Sequence, residues 1–285
     1  MRKITFAATQ FQVSDRLDDN IATGEKLVRE AADQGAQAIL LQELFAGPYF
    51  CKDQDPKYFH WAEEFGNSRL LKHFSALAKE LEVVLPISYF ERSVNTYFNS
   101  LAMIDADGRI LDNYRKTHIP DGPGYQEKYY FAPGNSGFKV WNTRFGQLGA
   151  AICWDQWFPE TARVLALMGA EAIFYPTAIG SEPQAPDWDS SGHWQRVMQG
   201  HSAANMVPVI ASNRLGEEQG SSSKLKFYGS SFITDNLGAK VVEADRDTEA
   251  VITATFDLDH FAEQRASWGL FRDRRPEHYN RITGL

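Results

Sequence analysis

Two kinds of segment alternate along this 285-residue chain: short apolar runs bounded by turn residues, and longer stretches with apolar residues at helical spacing. Lys3 to Thr9 reads as a strand, and Asn20 to Gln34 as a helix with Ile21, Val28 and Ala32 near one face. Ala38 to Leu41 is a buried run ending at Gln42-Glu43. Leu70, Phe74, Leu77 and Leu81 mark a helix behind a capping residue, Asn67 or Ser68. Val83 to Tyr89 and Tyr97 to Ile104 read as strands, and Asp105-Ala106-Asp107-Gly108 as a hairpin turn into Arg109 to Tyr114.

Further on, Gln147 to Ile152 is small and apolar and leads into Cys153. Pro159 to Met168 has a proline in its first turn and Gly169 as its stop, which marks a helix. Ala172 to Tyr175 and Val207 to Ser212 read as strands around a helix at Ser191 to Met206. A second hairpin turns at Asp235-Asn236-Leu237-Gly238, and Val251 to Phe256 is the last strand. Hairpins interleaved with strand–helix units exclude a purely parallel, doubly wound sheet and predict mixed sheets covered by helices. No repeat or long linker interrupts the pattern, and Gly220 to Ser223 reads as a loop, so residues 1–285 are expected to form one domain.

Composition narrows the class. A hydrophobic fraction of 43% with 23% charged residues is that of a globular protein. The formal net charge of −8 disfavours nucleic acid and anionic membrane partners and suits small neutral or cationic ones. Two cysteines, Cys51 and Cys153, exclude a disulfide scaffold. The N-terminal stretch is too short and mixed for a signal peptide, and no apolar run is long enough to span a bilayer. The expectation is a cytoplasmic protein.

Phosphate-loop, serine-elbow and H-E-x-x-H motifs are absent, and the seven histidines are scattered, so no metal site is expected. Three segments instead place a reactive group at a strand end: Glu43 after Ile39 to Leu41, Lys116 in Tyr114-Arg115-Lys116-Thr117-His118, and Cys153 in Gly149-Ala150-Ala151-Ile152-Cys153-Trp154-Asp155. Taken singly, Glu43 is a solvated strand terminus, Lys116 a surface cation and Cys153 a small buried hydrophobe. At a strand-to-helix elbow, however, a helix N-terminus favours a thiolate and offers N–H groups to an oxyanion. A papain-like Cys–His pair would need His193 or His201 beside Cys153, and their flanks match no such signature.

Together, Glu43, Lys116 and Cys153 with their flanks resemble the Glu-Lys-Cys triad of the nitrilase-like carbon–nitrogen hydrolases, from the first strand through Asp257. The blocks from Arg115 to Phe131 and from Cys153 to Glu160 are similar to the N-carbamoylputrescine amidase branch of that family. The resemblance implies an α/β four-layer α-β-β-α sandwich with two mixed sheets, a C-terminal arm at about 258–285, and homo-oligomers. It implies Cys153 as nucleophile, Glu43 as general base, Lys116 as oxyanion stabiliser, and Glu127 as a second glutamate holding Lys116. No metal or organic cofactor is implied.

The branch implies a small cationic carbamoyl amine as substrate. An arginine pair that holds a carboxylate in related enzymes is absent from Trp154-Asp155-Gln156-Trp157. Glu182, in the acidic loop with Asp187 and Asp189, is the expected partner of the substrate ammonium, with Trp154, Trp157 or Trp188 as walls for a methylene chain. Trp154, Asp155 and Tyr49 complete the expected binding set, and Cys51 is read as structural. The alternatives are an omega-amidase or beta-ureidopropionase acting on a carboxylate-bearing amide or ureido acid, and a non-catalytic interaction module on the same fold. An interaction module has no use for an intact triad.

Overall fold

In the computed structural model, which describes residues 1–221 and 223–284, the elements run β1 (Lys3–Gln10), α1 (Leu17–Asp33), β2 (Ala38–Leu40), α2 (Arg69–Leu81), β3 (Leu85–Ser93), β4 (Thr96–Ile104), β5 (Ile110–Arg115), β6 (Lys139–Thr143), β7 (Gly146–Ala150), α3 (Pro159–Leu167), β8 (Ala172–Pro176), α4 (Ser191–Asn205), β9 (Val209–Ser212), β10 (Leu215–Gln219), β11 (Lys224–Tyr228), β12 (Phe232–Thr234), β13 (Lys240–Glu243), β14 (Ala250–Asp257) and α5 (Leu258–Trp268). Period-2 alternation in β1 sets the layers. Phe6 and Ala8 point into the central core, where Phe6 meets Phe174 of β8 edge-on at 5.7 Å. Ala7 points the other way, into a core shared with Leu27, Val28 and Ala31 of α1 and Leu71 and Phe74 of α2.

One sheet has the order β13-β12-β9-β8-β7-β6. The other joins β14-β1-β2 to β3-β4-β5, because Ala38 bridges Val84 just before β3 and the Ile39 N–H donates to the Val84 carbonyl at 3.0 Å. In both sheets two parallel pairings at the centre are flanked by antiparallel ones. With α1 and α2 outside one sheet and α3 and α4 outside the other, the result is the four-layer α-β-β-α sandwich.

Each hairpin tip rests on the helix of its own layer. Gly108 has φ +83°, and a Cβ there would lie 2.6 Å from the Ser75 carbonyl of α2. Gly238 has φ +89°, and a Cβ there would lie 2.5 Å from the Gln199 carbonyl of α4. Only glycine meets both demands. Ser68, rather than Asn67, caps α2, its Oγ accepting from the Leu71 N–H at 2.9 Å. Strands β6, β10 and β11 have no counterpart in the sequence reading. They are short, and β10 and β11 carry charges along one face. The Gly220–Ser223 loop joins β10 to β11 with a Gly220 N–H to Ser223 carbonyl bond of 2.8 Å, and Ser222 lies outside the described residues.

After α5 the arm continues in short turns, with Phe271 under the Arg163 guanidinium of α3 at 5.1 Å. Its last residue, Leu285, lies outside the described residues. Trp268 and Ile282 stay exposed, as do Leu167 and Met168 at the end of α3. Among the described residues no helix is long and apolar enough to cross a membrane.

Candidate active site

Glu43 and Lys116, at the ends of two strands of one sheet, meet Glu127, which opens a short 3-10 turn, in the interior. Glu43 follows β2, and its N–H donates to the Thr177 carbonyl just past β8, at 3.4 Å. Lys116 follows β5. Its N–H donates to the Asn99 carbonyl of β4 and its carbonyl accepts from the Gly134 N–H, both at 2.8 Å. A Cβ on Gly134 would lie 2.0 Å from the Arg115 carbonyl, so only glycine lets this second strap close over the Lys116 backbone. Lys116 Nζ then donates to Glu43 Oε1 at 2.8 Å and to Glu127 Oε2 at 2.7 Å, with all three side chains removed from water. The Tyr49 hydroxyl donates to Glu127 Oε1 at 2.7 Å, and Asn99 Nδ2 to Glu43 Oε1 at 2.7 Å. Glu43 Oε2 has no hydrogen-bond partner among the described residues.

Cys153 opens a short 3-10 turn (Cys153–Trp157) directly after β7. The small run before it is a packing requirement: a Cβ on Gly149 would sit 3.1 Å from Ala170 Cβ and 3.4 Å from Leu165 Cβ. Cys153 has φ +41°, a left-handed conformation costing a non-glycine residue about 1–3 kcal/mol. Its Sγ lies 3.9 Å from the Ala178 carbonyl. That strain sits where β7 hands over to the turn and the thiol enters the cavity.

Burial pushes the Cys153 thiol well up, Glu43 pushes it further, and Lys116 pulls it down. This corrects the expectation of a thiolate stabilised by a helix N-terminus. The turn is too short to supply that field, and burial and two carboxylates favour the thiol over the anion. Burial would lower the Lys116 ammonium, but Glu127 and Glu43 hold it well above its ordinary value. Burial lifts the Glu127 carboxyl, against the pull of Lys116 and with the push of Glu43, to about 7. Cys153, Lys116 and Glu127 are thus each perturbed by neighbouring charges, the usual signature of a reactive site.

A cavity of about 300 Å³ opens over Cys153, with Tyr49, Tyr125 and Glu127 at its floor and Trp154, Trp157, Trp188 and Glu182 on its walls. Glu182 is half-buried and its carboxyl is raised by burial. Asp155 does not line this space, contrary to expectation. It is fully buried, its Oδ2 accepting from the Tyr114 hydroxyl at 2.7 Å and the Ile152 N–H at 3.0 Å. Its Oδ1 takes the His118 N–H at 3.0 Å and His118 Nδ1 at 2.7 Å. All its acceptor capacity is used in bracing the turn behind the cysteine. Asp189 is also taken, by Arg246 Nη1 at 2.6 Å, which holds its carboxyl down at about 2. Of the two histidines weighed as partners, His201 is bound to the Gln156 carbonyl at 2.7 Å, and His193 lies on the cavity wall beside Trp157. Neither bonds the Cys153 sulfur. Cys51 is fully buried, and burial raises its thiol.

Asn99, Arg214 and Glu218 went unrecognised in the sequence. Asn99 is a polar residue inside the apolar strand Tyr97 to Ile104, and that interruption was its signal. Arg214 and Glu218 follow β9 and read as ordinary surface charges, yet both are buried.

The fold agrees with comparisons to known proteins. The carbon–nitrogen hydrolase family model matches residues 5–266, and the chain belongs to that family. A citrullinase of Francisella tularensis subsp. tularensis is 55% identical over 99% of each chain. An N-carbamoylputrescine amidase of Arabidopsis thaliana is 54% identical over 98% of this chain and 94% of its own. The crystal structure of a carbon–nitrogen hydrolase from Helicobacter pylori G27 superposes with a TM-score of 0.92 at 37% identity, over 99% of both chains.

Proposed function

We propose that this chain hydrolyses N-carbamoylputrescine to putrescine, ammonia and carbon dioxide. One observation carries the choice of substrate: among the described residues the cavity is lined by the carboxylates of Glu182, Asp121 and Glu127 and by no lysine or arginine. A chain ending in an ammonium finds a partner there, and its methylenes find tryptophan faces. The α-carboxylate of citrulline, or the carboxylate of an omega-amidase or beta-ureidopropionase substrate, finds only like charge.

In the first half-reaction, Cys153 Sγ attacks the ureido carbon while its proton passes to the free Oε2 of Glu43. Lys116 and the N–H of Trp154 stabilise the oxyanion. Collapse breaks one C–N bond, and the leaving nitrogen takes the proton from Glu43. In the second half, Glu43 deprotonates a water that attacks the S-carbamoyl carbon. The sulfur leaves and is reprotonated, and the released carbamic acid loses carbon dioxide. Glu127 and Tyr49 hold Lys116 in place, and Glu182 binds the distal ammonium.

Glu182→Gln is expected to raise KM for N-carbamoylputrescine roughly 10- to 100-fold with little change in kcat. This is less than the full worth of a buried charge partner, because Glu182 is half-exposed. Steady-state rates on N-carbamoylputrescine and citrulline, for both forms, decide the matter. A wild-type preference for citrulline, or an unchanged KM in the variant, sinks the reading.

We extend the proposal to assembly: the exposed Trp268 and Ile282 of the arm, with Leu167 and Met168 of α3, form a contact surface for a second copy of the chain. Light scattering should return at least twice the 32.2 kDa chain mass, and a monomer mass at micromolar concentration removes this extension.

A further inference from the structure

Arg214 is fully buried between β9 and β10, and its charge lies on no face of the catalytic cavity. Burying a guanidinium is costly unless its donors are filled, and both Nη atoms of Arg214 have partners while its Nε has none among the described residues. Here Nη2 donates to the carbonyls of Glu43 at 3.2 Å, Leu44 at 2.6 Å and Gly47 at 2.8 Å, and Nη1 to Glu218 Oε1 at 2.7 Å. The other oxygen of Glu218 accepts the Tyr49 N–H at 2.6 Å. Lys52 Nζ closes the ring, 3.6 Å from Glu218 Oε2 and donating to the Tyr49 carbonyl at 3.2 Å. The guanidinium also lies over the rings of Tyr49 and Phe227, at 5.8 and 5.7 Å.

The ends of this clamp carry its meaning. At one end is the backbone of Glu43, whose carboxylate accepts from Lys116. At the other is the backbone of Tyr49, whose hydroxyl donates to Glu127. The segment between them contains Leu44 at φ +49°, a conformation that does not hold itself in place. Four backbone groups of residues 43–49 thus terminate on one buried ion pair.

We infer that Arg214 and Glu218 are positioning residues that set the distance between the two carboxylates sharing Lys116. The inference rests on the roles proposed above for Glu43 and Glu127. It adds that their geometry is fixed from behind, through the main chain, by an ion pair that touches no substrate. A lysine at 214 has one nitrogen and cannot reach Glu218 and the carbonyl fan together. The placement of Glu43 relative to Lys116 is then lost.

The test uses full-length Arg214→Lys and, if the lysine form folds poorly, Arg214→Met/Glu218→Met, which removes both ions of the pair and leaves Lys52 donating to the Tyr49 carbonyl. Turnover of N-carbamoylputrescine is normalised to the number of sites titrated with iodoacetamide. Positioning predicts that kcat per titrated site falls at least about 10-fold in each variant that folds, with KM within about 3-fold of wild type. It also predicts that the pH profile of Cys153 alkylation moves, because the base facing the thiol has moved. Unchanged kcat per site and an unchanged alkylation profile, with only a lowered melting temperature, would make the clamp purely structural and overturn the inference. If the wild type turns over no carbamoyl amine, the substrate reading fails by itself. The alkylation profiles need no substrate and still decide the role of the clamp.

Discussion

Cys153→Ala should reduce ammonia release from a carbamoyl amine by at least roughly 10⁴-fold, the scale on which loss of a nucleophile acts when no neighbour can replace it. No neighbour can: Cys51 is fully buried, with its thiol raised by burial, and does not line the cavity. The fold should tolerate the change. Alanine keeps the Cβ, removes a sulfur whose one polar contact is a 3.9 Å approach to the Ala178 carbonyl, and leaves the strained φ as it was. A near-native circular dichroism spectrum, a melting temperature within a few degrees of wild type and no covalent adduct by mass spectrometry during turnover are the expected results. Retention of more than a tenth of wild-type turnover would disprove covalent catalysis at this sulfur.

Lys116→Met is the more destructive change, because it strikes stability and chemistry together. Methionine nearly matches the lysine stem in volume, so the loss is one of charge. Two water-free carboxylates, each bonded to the same Nζ within 2.8 Å, are left facing each other without a cation. Breaking a buried pair from one side costs about 3–5 kcal/mol. The molecule can limit that cost only by protonating a carboxylate, and Glu127, already lifted to about 7 by burial, is the one that takes the proton.

The sign follows from linkage. Lys116 pulls the Glu127 carboxyl down, so without it the folded value climbs further above the unfolded one near 4.5, and the stability tied to the bound proton, full below 4.5, is lost as pH rises through that folded value. Lys116→Met should therefore melt closer to wild type at pH 5.5 than at pH 8, and its turnover should fall at least about 10³-fold at both. In the wild type, activity should decline below about pH 7 as Glu127 protonates and weakens its hold on Lys116, and Glu127→Gln should erase that limb. Equal melting shifts at both pH values, or a surviving acid limb in Glu127→Gln, would remove Glu127 from the proton inventory.

The reach of the sequence differs from residue to residue. Glu43 and Cys153 follow apolar runs and Lys116 follows a hairpin strand, yet singly each reads as an ordinary residue, and the three were legible together through their resemblance to the carbon–nitrogen hydrolase triad. The helices were legible for a local reason, although α1 begins at Leu17, three residues ahead of the apolar stripe that announced it. Asp155 misled because a carboxylate two residues from a nucleophile looks like a ligand, and only the packing reveals four donors already converging on it. The acidic loop misled in part for the same reason: Asp189 is claimed by Arg246 from 57 residues away, whereas Glu182 is not. Strands β6, β10 and β11 were invisible because a short hairpin with charges on one face has neither a clean period nor an apolar run.

Local pattern determined the alternating elements and the glycine turns at 108 and 238, since each depends on residues a few positions apart. Tertiary structure alone decided that Glu43, Lys116 and Glu127 are removed from water together, that burial and carboxylates raise the cysteine thiol, that Asp155 is a brace, and that Arg214 and Glu218 hold the chain between Glu43 and Tyr49. The physical reason is that burial and charge–charge energy depend on distance in space. Glu43 and Lys116 are 73 residues apart along the chain and 2.8 Å apart in the fold.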